Sequence, residues 1–187
     1  MGAINMNNFQ LHDLDTASSE AKSLLEESLK GFGMIPNLHA VMAESPALLE
    51  GYKTLHELAQ KSSLNAEQLT VVWQTKNVEH ACHYCVPAHT AIANMMKIDN
   101  DITEALRNQT PLKSEKLEIL RDTTLAILRQ RGIVADIELA KFYAAGFSRQ
   151  NLLDIVLVLS QKVMSNYVNY LAETPVDEAF QPFVWTK

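Results

Sequence analysis

At 187 residues and 47% hydrophobic composition, the chain can bury a substantial core, and its length favours one domain spanning 1–187. A formal charge of −6 leaves no basic surface to neutralise phosphates, which argues against nucleic acid or an anionic membrane as a partner and for small molecules or protein. Residues 1–10 lack the basic and apolar regions of a signal peptide, and the most apolar run, 152–159, is short and carries Asp154, so a soluble cytoplasmic protein is expected.

Helix signals then follow one another along the chain, and the pattern predicts an all-α protein. Residues 17–30 carry Leu24, Leu25 and Leu29 on one side and are closed by Gly31, Gly33 and Pro36. Asn37 opens a short helix. Ser45 followed by Pro46 reads as a cap with proline in the first turn, ahead of a stripe of Leu48, Tyr52, Leu55 and Ala59 that ends near Ser62. Asn65 and Gln68 form a capping-box signature for a helix carrying Leu69, Val72, Trp73 and Lys76 towards the cysteines.

Pro87 fits only the first turn of a helix, so a new helix starts close to Cys85 and runs through Met96. Met95 and Met96 are read as packing residues or as lining for an apolar pocket, and Trp73 as core. Helices at 100–108, 114–131, 136–145 and 148–171 complete the set, with Gly132 and Gly146 as stops. The β-branched run 155–159 lies inside an uninterrupted segment, and length assigns it to a buried helix. The tail, 174–187, with Pro175, Pro182 and its aromatics, reads as an irregular arm suited to packing on a neighbouring subunit. At an offset of 83 residues, 67–84 also overlays 150–167, matching Leu69 with Leu152 and Tyr84 with Tyr167; this would make two pseudo-repeated helical halves of which one kept the cysteines.

The stretch Cys82-His83-Tyr84-Cys85, with His89 four residues beyond, carries the chemistry. In a reducing compartment a lone Cys-x-x-Cys is catalytic or metal-binding more often than a permanent bridge. A thiolate is the reactive form of cysteine, and a helix N-terminus favours negative charge, so Cys85 is the candidate for a depressed pKa. His89 lies on the same helical face and is placed to take the thiol proton directly or through a water. Cys82 is placed to resolve a sulfenic acid on Cys85 as a disulfide.

Competing readings are weighed beside it. Zinc has enough donors in Cys82, Cys85 and His89 with His80 or His83, but no second ligand pair lies downstream, so no metal is expected. Covalent haem needs a histidine directly after Cys85, where Val86 stands, and no other cofactor is expected. A third reading makes both cysteines small core residues. His12, His39 and His56 are isolated in sequence and read as surface or partly buried helix residues.

On these residues the chain resembles the alkylhydroperoxidase D-like (AhpD-like) branch of the carboxymuconolactone decarboxylase superfamily, in its peroxidase-related subgroup. Residues 81–90, Ala-Cys-His-Tyr-Cys-Val-Pro-Ala-His-Thr, match the family's Cys-x-x-Cys-x-x-x-His with its tyrosine before the second cysteine. Supporting similarity lies in Gly33-Met34-Ile35-Pro36-Asn37, Ser45-Pro46, Ala145-Gly146-Phe147-Ser148, and Asn166-Tyr167 with Asn169.

The resemblance implies an AhpD-like multi-helix bundle, a homo-oligomer, and a thiol peroxidase in which Cys85 attacks a hydroperoxide, Cys82 resolves and His89 activates Cys85, with a dithiol reductant or redox protein as partner. It also implies a glutamate twelve residues before Cys82, where this chain has Thr70; Glu67, one turn earlier, is the nearest substitute, and Glu79 lies closer to the cysteines. A redox-sensing interaction protein is the non-enzymatic alternative, and a decarboxylase-type enzyme, which needs no cysteine pair, ranks below both.

Overall fold

The computed structural model describes residues 9–187; residues 1–8, most of the start read for a targeting signal, lie outside the described residues. In chain order the described residues form α1 (Ser19–Phe32), α2 (Asn37–Met42), α3 (Pro46–Gln60), α4 (Ala66–Glu79), α5 (Cys85–Met95), α6 (Asn100–Asn108), α7 (Glu115–Arg129), α8 (Asp136–Ala144) and α9 (Arg149–Leu171), with a short 3-10 helix at Glu178–Phe183. No strand occurs among the described residues, and the run 155–159 is helical as expected. None of the described helices is long and apolar enough to cross a membrane.

Helix ends follow the residue chemistry. The side chains of Ser18, Asn65, Asp99, Ser114 and Ser148 each accept a backbone N–H from the turn they precede. Gly33, at φ 72°, closes α1 by donating its N–H to the Leu29 carbonyl, a left-handed turn that glycine enters without a Cβ penalty. α4 and α9 both open on reciprocal capping, Asn65 with Gln68 and Ser148 with Asn151. These pairs stand 83 residues apart, so the internal correspondence read from sequence extends to the caps. The two helices then diverge, because α4 stops at Glu79 while α9 continues for 23 residues.

α4 is the centre of the molecule. Every residue from Leu69 to Val78 is buried, and the helix packs against α5, α6, α7 and α9. A helix enclosed on all sides has no solvent face for polar residues, so its Gln74, Lys76 and Asn77 must be satisfied internally. One apolar cluster gathers around Val72, Trp73, Leu120, Phe142 and Ile155. A second, containing Leu25, Met42, Leu49 and Tyr52, includes both cysteines and Tyr84 in its wall.

Several local readings change in three dimensions. On α3 the fully buried leucine is Leu49 and not Leu48, since α1 and α9 enclose the face one residue further on. Met95 and Met96 stand at the end of α5, 74% and 37% exposed. The tail folds back onto its own chain instead of reaching away. Asp177 accepts the Asn37 N–H at 2.9 Å at the start of α2, Arg107 donates to the Phe183 carbonyl at 3.0 Å, and Trp185 Nε1 donates to the Arg107 carbonyl at 3.0 Å. Irregular sequence misleads here because the arm's order comes from these long-range polar contacts and from Phe180 against Tyr84.

Candidate active site

The cysteines occupy the turn that reverses the chain between α4 and α5. Ala81 takes the left-handed conformation, at φ 49°, which an L-residue enters only when its surroundings hold it there. Tyr170 on α9 supplies such a hold, its hydroxyl lying 2.6 Å and 2.7 Å from the His80 and Ala81 carbonyls. The Cys82 N–H donates to the Asn77 carbonyl at 2.9 Å, and Cys85 becomes the first residue of α5. Its own N–H donates to Cys82 Sγ at 3.2 Å, which draws the two side chains together at the helix N-terminus.

Both thiols are buried and reduced. Two amides from α9 converge on Cys85 Sγ: Asn166 Nδ2 at 3.0 Å and Asn169 Nδ2 at 3.2 Å, with Asn169 a longer 4.0 Å from Cys82 Sγ. Asn77 braces them from α4, its Oδ1 accepting from Asn166 at 3.1 Å and its Nδ2 donating to the Cys85 carbonyl at 3.3 Å. Burial pushes the Cys85 thiol up, but a hydrogen bond from the Cys82 thiol, the nearby Lys162 ammonium and the two asparagine amides outweigh it and bring Cys85 down to about 6. Cys82 is driven the opposite way, because its proton is held by Cys85, its site is dry and a neighbouring thiolate repels a second negative charge. Above about pH 6 the pair therefore holds one proton, on Cys82.

His89 stands on α5, buried, with its ring 5.0 Å from that of Trp73. Its Nε2 lies 2.8 Å from Lys162 Nζ, its Nδ1 has no hydrogen-bond partner among the described residues, and no hydrogen bond joins the ring to Cys85. Burial and the Lys162 charge keep the imidazole neutral, well below its usual range, so Nε2 accepts from the ammonium and Nδ1 carries the ring proton. His39 and His56, isolated in sequence, join a run of rings in space: Trp73 meets His56 at 5.5 Å, His56 meets Tyr52 at 6.3 Å, and Tyr52 meets His39 at 5.6 Å. Desolvation holds His39 at about 3 and His56 at about 4.

The structure thus brings Cys82, Cys85 and His89 to one place and leaves the carboxylates elsewhere. Glu67 is exposed in the first turn of α4 and borders a surface groove with Asp99, Asp101 and Glu104, not His89. The physical reason is length: the buried span of α4 separates that turn from the cysteines. Thr70, where the resemblance expects an acid, is buried with its hydroxyl donating to the Ala66 carbonyl at 2.9 Å. Glu79 forms a two-pronged pair with Arg129 at 2.7 Å and 2.8 Å. His80 is engaged by Lys76, and His83 Nε2 donates to the Thr174 carbonyl at 3.0 Å, so neither completes a ligand set with the cysteines.

Lys162 is absent from the residues that the sequence motif marks, and Asn166 and Asn169 carry no role in it. A signal was present. Lys162, Ser165, Asn166 and Asn169 fall at helical spacing on the inward face that begins, two turns earlier, with Ile155, Val158 and Leu159. A polar stripe that continues an apolar one marks buried groups with partners to meet.

Comparison with known proteins bears on the fold. No family model matches the chain, and no curated protein matches it. Among solved structures it is similar to the alkylhydroperoxidase AhpD core of an uncharacterized peroxidase-related protein from Ralstonia eutropha JMP134, with TM-score 0.82, 15% identity, and coverage of 95% of this chain and 96% of that one. An uncharacterized peroxidase-related protein from Silicibacter sp. TM1040 gives TM-score 0.77 at 19% identity, covering 96% and 97%. The debrominase Bmp8, in complex with 2,3,4-tribromopyrrole, gives TM-score 0.77 at 12% identity, covering 97% of each chain. The chain has the AhpD-like helical fold.

Proposed function

We propose that this AhpD-like chain is a thiol-dependent peroxidase that reduces hydroperoxides through a dithiol–disulfide cycle of Cys85 and Cys82. The observation that carries this reading is the asymmetry of the pair's surroundings: Asn166 and Asn169 donate to Cys85 Sγ at 3.0 Å and 3.2 Å, and with the Cys82 thiol and Lys162 they bring Cys85 down to about 6. The Cys85 thiolate attacks the distal oxygen of the hydroperoxide, the O–O bond breaks, and the leaving alkoxide takes a proton to become an alcohol. Cys85 is then a sulfenic acid. The Cys82 sulfur, already in contact, displaces its hydroxyl as water and forms the disulfide, which an external dithiol reduces by exchange. Names of peroxidase-related structural neighbours point the same way, at the level of fold.

A homo-oligomer belongs to this reading. The outward face of α9 carries Leu153, Val156, Val163, Tyr167 and Tyr170, all at least one-third exposed, at helical spacings of three, seven, four and three residues that keep them on one stripe.

The alternative, a redox-sensing switch, uses the same thiols once. Purified protein is mixed with tert-butyl hydroperoxide and an excess of dithiol donor, and peroxide is followed over time. Many equivalents consumed per chain are expected; a single equivalent, followed by arrest in the disulfide form, would favour the switch.

A further inference from the structure

Lys162 takes no chemical step in the thiol cycle above, although its charge acts on Cys85. Its side chain is 1% exposed at the centre of α9, and among the described residues it forms no ion pair with a carboxylate. An ammonium so enclosed loses its hydration, and burial alone costs several kcal/mol unless an opposite charge answers it. Its one hydrogen-bond partner, His89 Nε2 at 2.8 Å, is neutral and offers no charge.

Among the described residues, the titratable groups around Lys162 and Cys85 are Tyr52 and His56 on α3, Lys76 on α4, Cys82 in the turn, His89 on α5, and Tyr170 further along α9. None is a carboxylate. The tail's Asp177 is taken by Tyr84 and Asn37, and Glu79 by Arg129. Burial pushes the Tyr52 and Tyr170 phenols up, so among these groups the anion that balances Lys162 is a cysteine's. The same helical face places Asn166 and Asn169, one and two turns beyond Lys162, closest to Cys85 Sγ, at 3.0 Å and 3.2 Å, with Cys82 Sγ a longer 4.0 Å from Asn169.

We propose that Lys162 is the countercharge that keeps Cys85 ionised and, by donating to His89 Nε2, fixes that ring, so that a buried lysine takes the place where the resemblance expects a carboxylate. The inference rests on the thiol reading of the site, but not on the identity of the oxidant. A carboxylate beside His89 would favour imidazolium; an ammonium there does the reverse and holds the ring neutral while acting on the sulfur directly. Lys162 is thus a positioning residue, working through field and geometry.

The test follows alkylation of Cys85 by iodoacetamide across pH, read on the Cys85 peptide by mass spectrometry, in wild type, Lys162→Met, Lys162→Gln and Lys162→Arg. Met keeps the stem without charge, and Gln keeps a donor for His89 without charge. The expected result is a midpoint near 6 in wild type, retained in Arg, and raised towards the ordinary 9.0 in Met and Gln. The rate at pH 7 falls by at least about tenfold in both, as loss of thiolate requires. An unshifted midpoint in Met overturns the proposal, and so does a wild-type midpoint in Gln, because a hydrogen bond without charge would then suffice. If Met does not fold, Gln decides alone. Alkylation needs no peroxide, so a wild type that fails to turn over peroxide while showing these shifts would sink the peroxidase reading and leave the role of Lys162 standing.

Discussion

Removing the Asn166 amide takes away one of the two α9 donors on Cys85 Sγ and leaves the other, Asn169, in place. A hydrogen bond to a charged acceptor contributes about 1.5–3 kcal/mol, and one pKa unit is about 1.4 kcal/mol, so Asn166→Ala is expected to raise the thiol midpoint by about 1–2 units. The sign follows from linkage. Folding lowers this thiol from 9.0 to about 6, so its ionisation favours the folded state fully above pH 9, and that contribution vanishes as pH falls through about 6. Reactivity of the folded protein follows the same lower limit, and the variant moves it upward. The measurement is the pH profile of Cys85 alkylation, and an unchanged midpoint would show that the asparagines orient the sulfur without stabilising its charge.

At the scale of elements, α4 and α9 do most to position the site, and their starts can be tested independently of it. Asn65 accepts the Gln68 N–H at 2.9 Å and lies on the surface, far along α4 from the cysteines. Asn65→Ala is expected to cost about 1 kcal/mol, a fall of about 2–4 °C in melting temperature for a chain of this size, with Cys85 alkylation unchanged. A changed alkylation profile would mean that the cap also sets the register of the turn holding the thiols. These helices were legible in sequence because their caps, glycine stops and apolar periods are local signals, and so was the turn at Cys82 to Cys85, which Pro87 marks. Glu67 misled for the complementary reason: a residue one helical turn from Thr70 shares its face but not its depth, and α4 is buried only from Leu69 onward. Spacing along α9 marks Lys162 as inward-facing, but the partners it meets and the tail contacts depend on which elements come together, which spacing along one segment does not encode.

For the whole molecule, the tail packs on its own chain, and the outward face of α9 is a second surface suited to assembly. The tail closes over its own α5 and α6 through Asp177, Phe183 and Trp185, while the exposed stripe of α9 is the surface suited to a second copy. Replacing Val156 and Val163 together by Glu puts like charges into that stripe and is expected to convert an oligomer to monomer by light scattering at micromolar concentration, without shifting the Cys85 midpoint. A wild type that is already monomeric contradicts the oligomer. The most direct test of the account is the site of first oxidation. Cys82→Ser protein, treated with one equivalent of hydroperoxide and a sulfenic-acid-trapping dione, should carry the adduct on Cys85, at a rate that drops as pH is lowered through the Cys85 midpoint. The contradictory result is no adduct at any pH, with the Cys85 thiol still intact after the peroxide treatment.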